Sequence, residues 1–361
     1  MFTHRTSVGL DVHARSVFGY ALDNLTGEVF KRRLCPDPAV VTGWIESLPQ
    51  PVATAYEAGP TGYGLYRYLT AHRIRCQVAA PSKLQRPPGD KNKNDERDAF
   101  QIARLVRVGD IVEVTVPSVE QEAARDLVRA RDAARADLLR ARHRLSKLLL
   151  RHGMAYSGGT TWGGEHDRWL RAQRTELVLP GARAAFDTSY EQVGFVTARR
   201  DRLDAEIREL AAHSEYQPTM RRLECLRGIS TLTSFALSVE IGDWGRFTGS
   251  TIGAYVGLVP SEASSGESRV LGSITKAGNG HVRRLLIEAA WHHDKPYRPS
   301  VALLRRWQAA DPAARVRGHQ GNQRLRHRWV MFNQHHKKPA IACVAVAREL
   351  AGWCWSLATL E

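Results

Sequence analysis

Cysteine is scarce in this 361-residue chain: Cys35, Cys76, Cys225, Cys343 and Cys354 stand far apart, and no C-x-x-C pair occurs. That excludes a thiolate zinc knuckle and a sequence-encoded disulfide framework, and points to reduced, packed thiols in a cytoplasm. Histidine spacing for zinc is missing as well, because His292-His293 and His335-His336 are adjacent pairs rather than i, i+4 pairs. No apolar run approaches the roughly 18–20 residues needed to span a bilayer. The N-terminal stretch MFTHRTSVGL has no signal-peptide core, since its apolar run stops at Asp11. A membrane partner is therefore not expected.

What is abundant is positive charge. Lys and Arg total 52 against 37 acids, a formal net charge of +15, which favours a polyanionic partner such as nucleic acid. Hydrophobic residues make up 43%, enough for two domains, or for one domain and a helical arm.

Residues 6–115 alternate strand-like and helix-like patterns. TSVGLDV (6–12), VFGYAL (17–22) and 29–35 predict a meander of three strands. A helix over 38–48, a strand over 52–56, a helix over 63–72 and a strand over 74–79 follow. After a loop over 81–94, the stretch 95–108 is helical, with Ala99, Ile102, Ala103 and Val106 on one face. This succession is that of a ribonuclease-H-like α/β fold. Asp11 interrupts the apolar run of the first strand, where a charge is costly without compensation. Glu57 follows the fourth strand, and Asp95 and Asp98 are three apart at a helix start, so both carboxylates leave one face. Acids at that helix start also satisfy the macrodipole. Adjacent central strands would bring Asp11 and Glu57 together, with the late helix packed across them. Four converging carboxylates repel one another unless a hard cation intervenes, and Mg²⁺ is the natural resident. Two such ions, or Mn²⁺ in their place, serve phosphodiester chemistry.

The segments GLDVH (9–13), YEAGPTGYGLYRYL (56–69) and KNDERDA (93–99) resemble the DEDD motifs of the insertion-sequence one-ten transposase family, also called bridge-RNA-guided recombinases. The resemblance implies a RuvC-like N-terminal domain whose metal-holding tetrad falls on Asp11, Glu57, Asp95 and Asp98. Glu96 lies between the last two and would point away.

The stretch 120–151 has neither proline nor glycine and predicts one long helix. Leu127, Ala134, Leu138, Ala141, Leu145 and Leu148 fall on heptad a and d positions, and Arg131 breaks the seam. Nine cations lie here, and Arg140, Arg142, Arg144 and Lys147 are candidates for phosphate contact; ordinary solvated charge pairs explain them too. A second amphipathic stretch, 193–213, carries Val196, Leu203, Ile207 and Leu210, so the two predict a coiled-coil hairpin or a dimer contact. GGTTWGGEHDRW and the rest of 153–190 show no period and suggest no role.

Residues 223–247 predict a helix, a tight turn at Gly228-Ile229 and a second helix, a form that can hold a phosphate on backbone N–H groups. The polar stretch YVGLVPSEASSGESRVLGSITKAGNGH (255–281) has the composition of a flexible loop. It is also similar to the second signature of the same family, GL-x-P, then a Ser-Gly pair, then K-x-G-N. The resemblance implies a catalytic nucleophile at Ser265, with Ser264 as the adjacent alternative. That serine would form a phosphoserine link to DNA and be delivered beside the metal-holding tetrad. Arg269, Lys276, Arg283 and Arg284 are suited to neutralising phosphate nearby, and His281 reads as a structural residue. A basic cluster over 315–328 and an apolar helix over 339–357 complete the chain, with Trp353 and Trp355 packed.

The resemblance spans nearly the whole chain. It predicts an α/β plus α protein with a RuvC-like domain (1–115), a coiled-coil arm (116–215) and a mainly helical serine transposase domain (216–361). It implies a bacterial, nucleoid-associated enzyme acting on double-stranded DNA, with a structured noncoding guide RNA and a homodimer or tetramer as partners. A hydrolytic Holliday-junction nuclease using water, or an inactive nucleic-acid-binding protein, would account for parts of the same pattern.

Overall fold

Apolar alternation over the first eighty residues produces a five-stranded sheet in the computed structural model, which describes residues 4–84, 94–263 and 270–360. The strands are β1 (Thr6–Val12), β2 (Val17–Asp23), β3 (Val29–Leu34), β4 (Val52–Glu57) and β5 (Arg75–Ala79), in the spatial order β3-β2-β1-β4-β5. β1, β2 and β3 pair antiparallel, as the meander predicted, whereas β1–β4 and β4–β5 are parallel. The parallel pairs require crossovers, which α1 (Pro38–Glu46) and α2 (Gly64–Ala71) supply. One face of the sheet carries Val8, Leu10, Tyr56 and Val78 and buries them against Val41, Trp44 and Ile45 of α1 and Leu69 of α2. The other face is covered by α3 (Asp95–Val108), whose Ala99, Ile102, Ala103 and Val106 all lie inward as their spacing predicted. α3 starts at Asp95 because the Asn94 side chain accepts the Glu96 amide at 3.1 Å, and it stops at Gly109, which adopts a left-handed conformation. These elements form one compact unit, Met1–Pro117.

The second compact unit, Ser118–Glu361, is almost entirely helical among its described residues. α4 (Val119–Arg151) is a single helix of 33 residues, about 50 Å long. α5 (Gly164–Glu176) and α6 (Pro180–Ala212) follow. The region over 153–190 that showed no period therefore holds a helix of its own and the first turns of α6, whose start lies well before position 193. α4 and α6 run antiparallel: Ala124 and Val128 share a core with Ile207 and Ala211, and Leu145, Leu148 and Leu149 share another with Phe186. Arg131, which interrupts the apolar seam, is accommodated by an ion pair to Asp204 of α6 at 2.7 Å. Leu210, expected on the seam, is instead 42% exposed, because Ile207 and Ala211 occupy the inward face of that turn.

α7 (Gln217–Leu223), α8 (Thr231–Ile241), α9 (Thr251–Tyr255), α10 (Gly280–Ala290), α11 (Val301–Gln308), α12 (Pro312–Gln334) and α13 (Pro339–Ala358) complete the unit. The stretch expected as a plain loop contains a two-stranded antiparallel sheet, β6 (Pro260–Glu262) and β7 (Leu271–Ile274). By length and composition α13 could cross a membrane, contrary to the expectation that no segment would. Its Cys343, Val346, Ala347, Leu350, Ala351, Cys354 and Leu357 are nevertheless buried in the core shared with α8, α10 and α12. Trp353 and Trp355 pack at the edge of that core. The thiols of Cys225, Cys343 and Cys354 are buried, but Cys35 is exposed.

Candidate active site

Side-chain alternation places Asp11 on the same face of β1 as Gly9, and Gly9 lies against Ala99 and Ala103 of α3. On β4, Ala53 and Ala55 pack against Ile102 and Val106 of α3, so Glu57, two residues on, falls on that face too. The last paired residues of β1 and β4 are Leu10 and Tyr56; Asp11 and Glu57 each stand one residue beyond, at the carboxyl ends of adjacent parallel strands. Ligand sites of open α/β sheets form at such ends. α3 meets them with its first turn, which carries Asp95, Glu96 and Asp98.

Among the described residues, the atoms that converge are those of Asp11, His13 and Asp95, whose ligand atoms all lie within 4.8 Å of one another. His13 Nε2 is 3.0 Å from Asp11 Oδ2 and 3.9 Å from Asp95 Oδ1. Burial raises the Asp11 pKa above its ordinary value; His13 opposes the rise, and the charges of Asp95 and Asp98 add to it. Asp98 thus acts on Asp11 electrostatically, although it is outside the convergent group, as is Glu57. Glu57 is exposed. Asp95 also accepts from Arg33 Nη2 at 2.7 Å, and Glu96 turns to Lys31 Nζ at 2.5 Å. Lys31 and Arg33 alternate onto one face of β3, so that strand holds the first turn of α3 by two ion pairs. Oxygen-rich donors with one imidazole suit a divalent cation.

Sequence reasoning passed over His13, Arg33 and Glu240. His13 stands two residues after Asp11, the interval that returns a strand side chain to the same face. Glu240 is an acid inside the apolar run SFALSVEIG, the same signal that marked Asp11. It is 2% exposed and fully partnered. Arg129 donates to Oε1 and Oε2 through Nε and Nη2, each at 2.8 Å; Asn279 Nδ2 donates to Oε2 at 2.7 Å; and His281 Nδ1 lies 3.0 Å from Oε1. Burial alone would raise the Glu240 pKa, but these bonds outweigh it and hold the carboxyl at about 2. Asn279 meanwhile caps α10 by accepting from the His281 and Val282 amides. His281, expected to be structural, is engaged by Glu240.

Ser264, Ser265 and Arg269 lie outside the described residues. Lys276 is exposed, with a left-handed backbone (φ 55°). Arg283 donates to the carbonyls of Val256 and Ala277, and Arg284 pairs with Asp132 and Glu288. The arm cations separate by partner. Arg140 pairs with Asp137, and Arg142 lies over the Trp162 ring at 4.9 Å. Arg144, Lys147 and Arg151 line one groove of about 620 Å³ with Ala185 and Ser189 of α6. At the turn between α7 and α8, Gly228 is left-handed (φ 86°) and the Arg227 amide is already bonded to Asn322 Oδ1.

Two family models match the chain. Residues 220–299 match one described as Transposase IS116/IS110/IS902 family, and residues 8–154 match a DEDD model of the IS110 group described as Transposase. The second range contains all four acids; the first contains positions 264 and 265, Glu240 and Lys276. A candidate transposase of Sinorhizobium fredii, y4qE, is 38% identical over 304 residues, covering 84% of this chain and 74% of that protein. The transposase for insertion sequence element IS1533 of Leptospira borgpetersenii is 32% identical over 300 residues, covering 80% and 85%. The transposase for IS1328 of Yersinia enterocolitica is 24% identical over 356 residues, covering 98% and 97%.

Proposed function

The chain belongs to the IS116/IS110/IS902 transposase family, and from that premise we propose that it cuts and rejoins DNA strands through a metal-holding acid group and a serine nucleophile. The observation that carries the acid half is the approach of Asp11, His13 and Asp95 at the end of β1, with Glu57 on the same face of the adjacent strand. In this reading the first domain is RuvC-like and Asp11, Glu57, Asp95 and Asp98 hold Mg²⁺. A divalent cation bound there lowers the pKa of an attacking hydroxyl and stabilises charge on a leaving oxygen.

Ser265 supplies the nucleophile. Its Oγ attacks the scissile phosphorus and forms a phosphoserine ester, while the bond to the 3′ oxygen breaks. The proton from Oγ leaves to solvent, and the 3′ oxygen departs as a hydroxyl after gaining a proton. A 3′ hydroxyl from a second strand reverses the step on the phosphoserine and regenerates Ser265. Phosphodiester energy is conserved, so no nucleotide triphosphate is consumed. Arg144, Lys147 and Arg151, which converge on one groove without a carboxylate partner among the described residues, support phosphate binding by the helical arm. In this reading α4 and α6 form a coiled-coil arm, a structured noncoding RNA selects the DNA by base pairing, and two or four copies assemble on the strands.

The test is incubation of the protein with guide RNA, DNA and Mg²⁺, followed by a denaturing gel. A protein–DNA adduct should form, vanish in Ser265→Ala and in Asp11→Asn, and persist in Ser264→Ala. Cleaved DNA without an adduct would replace the serine mechanism by hydrolysis.

A further inference from the structure

The stretch over 153–190 helps to line a cavity that no step of the reaction proposed above involves. It measures about 510 Å³, opens to solvent and is lined by α4, α5, α6 and the loop before α5, within the size range of small-ligand pockets. Trp162 and Tyr190 give it aromatic walls, and Leu170 and Val193 add apolar lining. Arg142, Asp167, Thr197 and Asp201 contribute donors and acceptors along its edge.

Two further features point to an occupant. Trp162 holds a left-handed backbone (φ 65°), a strained state for a bulky residue that concentrates at functional sites. It is fixed by the Arg142 guanidinium over its ring and by its amide donating to His166 Nδ1 at 3.2 Å. Gly163, Gly164 and Gly194 also line the cavity. A Cβ on Gly164 or Gly194 would meet nothing, and one on Gly163 only a carbonyl at 3.9 Å. Gly194 sits in the middle of α6, where glycine weakens a helix, and no neighbour in the fold demands its smallness. The space it leaves belongs to the cavity.

We propose that this cavity receives one unpaired nucleobase of a bound nucleic acid, stacked on its aromatic walls and hydrogen-bonded along its edge by Arg142 and the acceptors opposite. The proposal rests on the reading of the protein as one that handles nucleic acid. Stacking on an aromatic side chain suits any base, because each has a π-face, while paired donors and acceptors suit a base edge better than an aliphatic ligand. The site is distinct from the groove of Arg144, Lys147 and Arg151, which recur on the face of α4 opposite Arg142.

The test uses the full-length protein and a hairpin carrying one bulged 2-aminopurine, made as RNA and as DNA, each beside its fully paired counterpart. The wild type should quench the bulged probe and bind it about ten-fold tighter than the paired hairpin. Gly194→Leu, which fills the cavity from an exposed helix position, should abolish quenching and preference while keeping the affinity for the paired hairpin. Gly194→Ala should give an intermediate preference, and the circular-dichroism melt of neither variant should fall below that of the wild type, since both residues favour the helix over glycine. A response from the RNA alone, the DNA alone or both identifies the source and supports the site. Binding of paired and bulged hairpins alike, or a preference that survives Gly194→Leu, overturns it. Failure to bind any hairpin overturns the nucleic-acid reading beneath it as well.

Discussion

Gly9 of β1 and Ala99 of α3 touch backbone to backbone: a side chain at position 9 would overlap the Ala99 carbonyl and come within 2.5 Å of the Ala103 amide nitrogen. That approach brings the first turn of α3 down onto the sheet, and with it Asp95 toward Asp11. Gly9→Ala should push α3 outward. Overpacking of this kind costs about 1–3 kcal/mol, read as a lower denaturation midpoint, and activity should fall further than stability because the acids separate.

Metal should stabilise the protein through the same cluster. In the metal-free state Asp11 is held with a raised pKa, so its contribution to stability is full below the ordinary carboxylate value and is lost as pH rises through the folded value. Asp11→Asn should therefore leave the metal-free melting temperature at neutral pH unchanged or higher. Mn²⁺ or Mg²⁺ at a hundred times the dissociation constant should stabilise the wild type by about 2.7 kcal/mol and Asp11→Asn far less. A parallel response of both proteins would place the cation elsewhere.

Glu240 has the opposite sign. Its folded pKa, about 2, lies below the ordinary glutamate value of 4.5, so the stability it provides is present above pH 4.5 and is lost as pH falls toward 2. Linkage puts that contribution at about 3 kcal/mol. Glu240→Gln should lower stability at pH 7 and flatten the acid limb of the pH–stability curve. An unchanged acid limb would show that Arg129, Asn279 and His281 do not depend on the carboxylate.

The arm cations should differ among themselves. Replacing Arg144, Lys147 and Arg151 together by alanine should weaken duplex binding and reduce the slope of log affinity against log salt by about one unit per lost phosphate contact. Arg140→Ala should change it little, since Asp137 already partners that guanidinium. Equal effects from all four positions would mean that net charge, rather than the groove, sets affinity.

Much of the acid group was legible because its signals are local. A charge in an apolar strand marked Asp11, two acids three apart at a capped helix start marked Asp95 and Asp98, and the strand end marked Glu57. His13 carried an equally local signal, the two-residue return of a strand. Arg33 had none, since its pairing with Asp95 depends on β3 lying two strands from β1 under the end of α3. The missing period over 153–190 hid α5, whose exposed polar residues outnumber the buried His166 and Leu170.

The sequence by itself determined the strand and helix succession over residues 6–108, the long helix α4 and the residue types of the acid group, because periodicity and burial cost act over a few neighbouring positions. Only the tertiary structure decided which acids meet, that His13 and Arg33 lie against them, and which arm cations are already paired. It also decided that α13, apolar enough for a bilayer, is a core helix, and that Trp162 and Gly194 face one cavity. Those outcomes depend on contacts between residues tens of positions apart, where packing and ion pairing choose among partners that local pattern leaves equivalent.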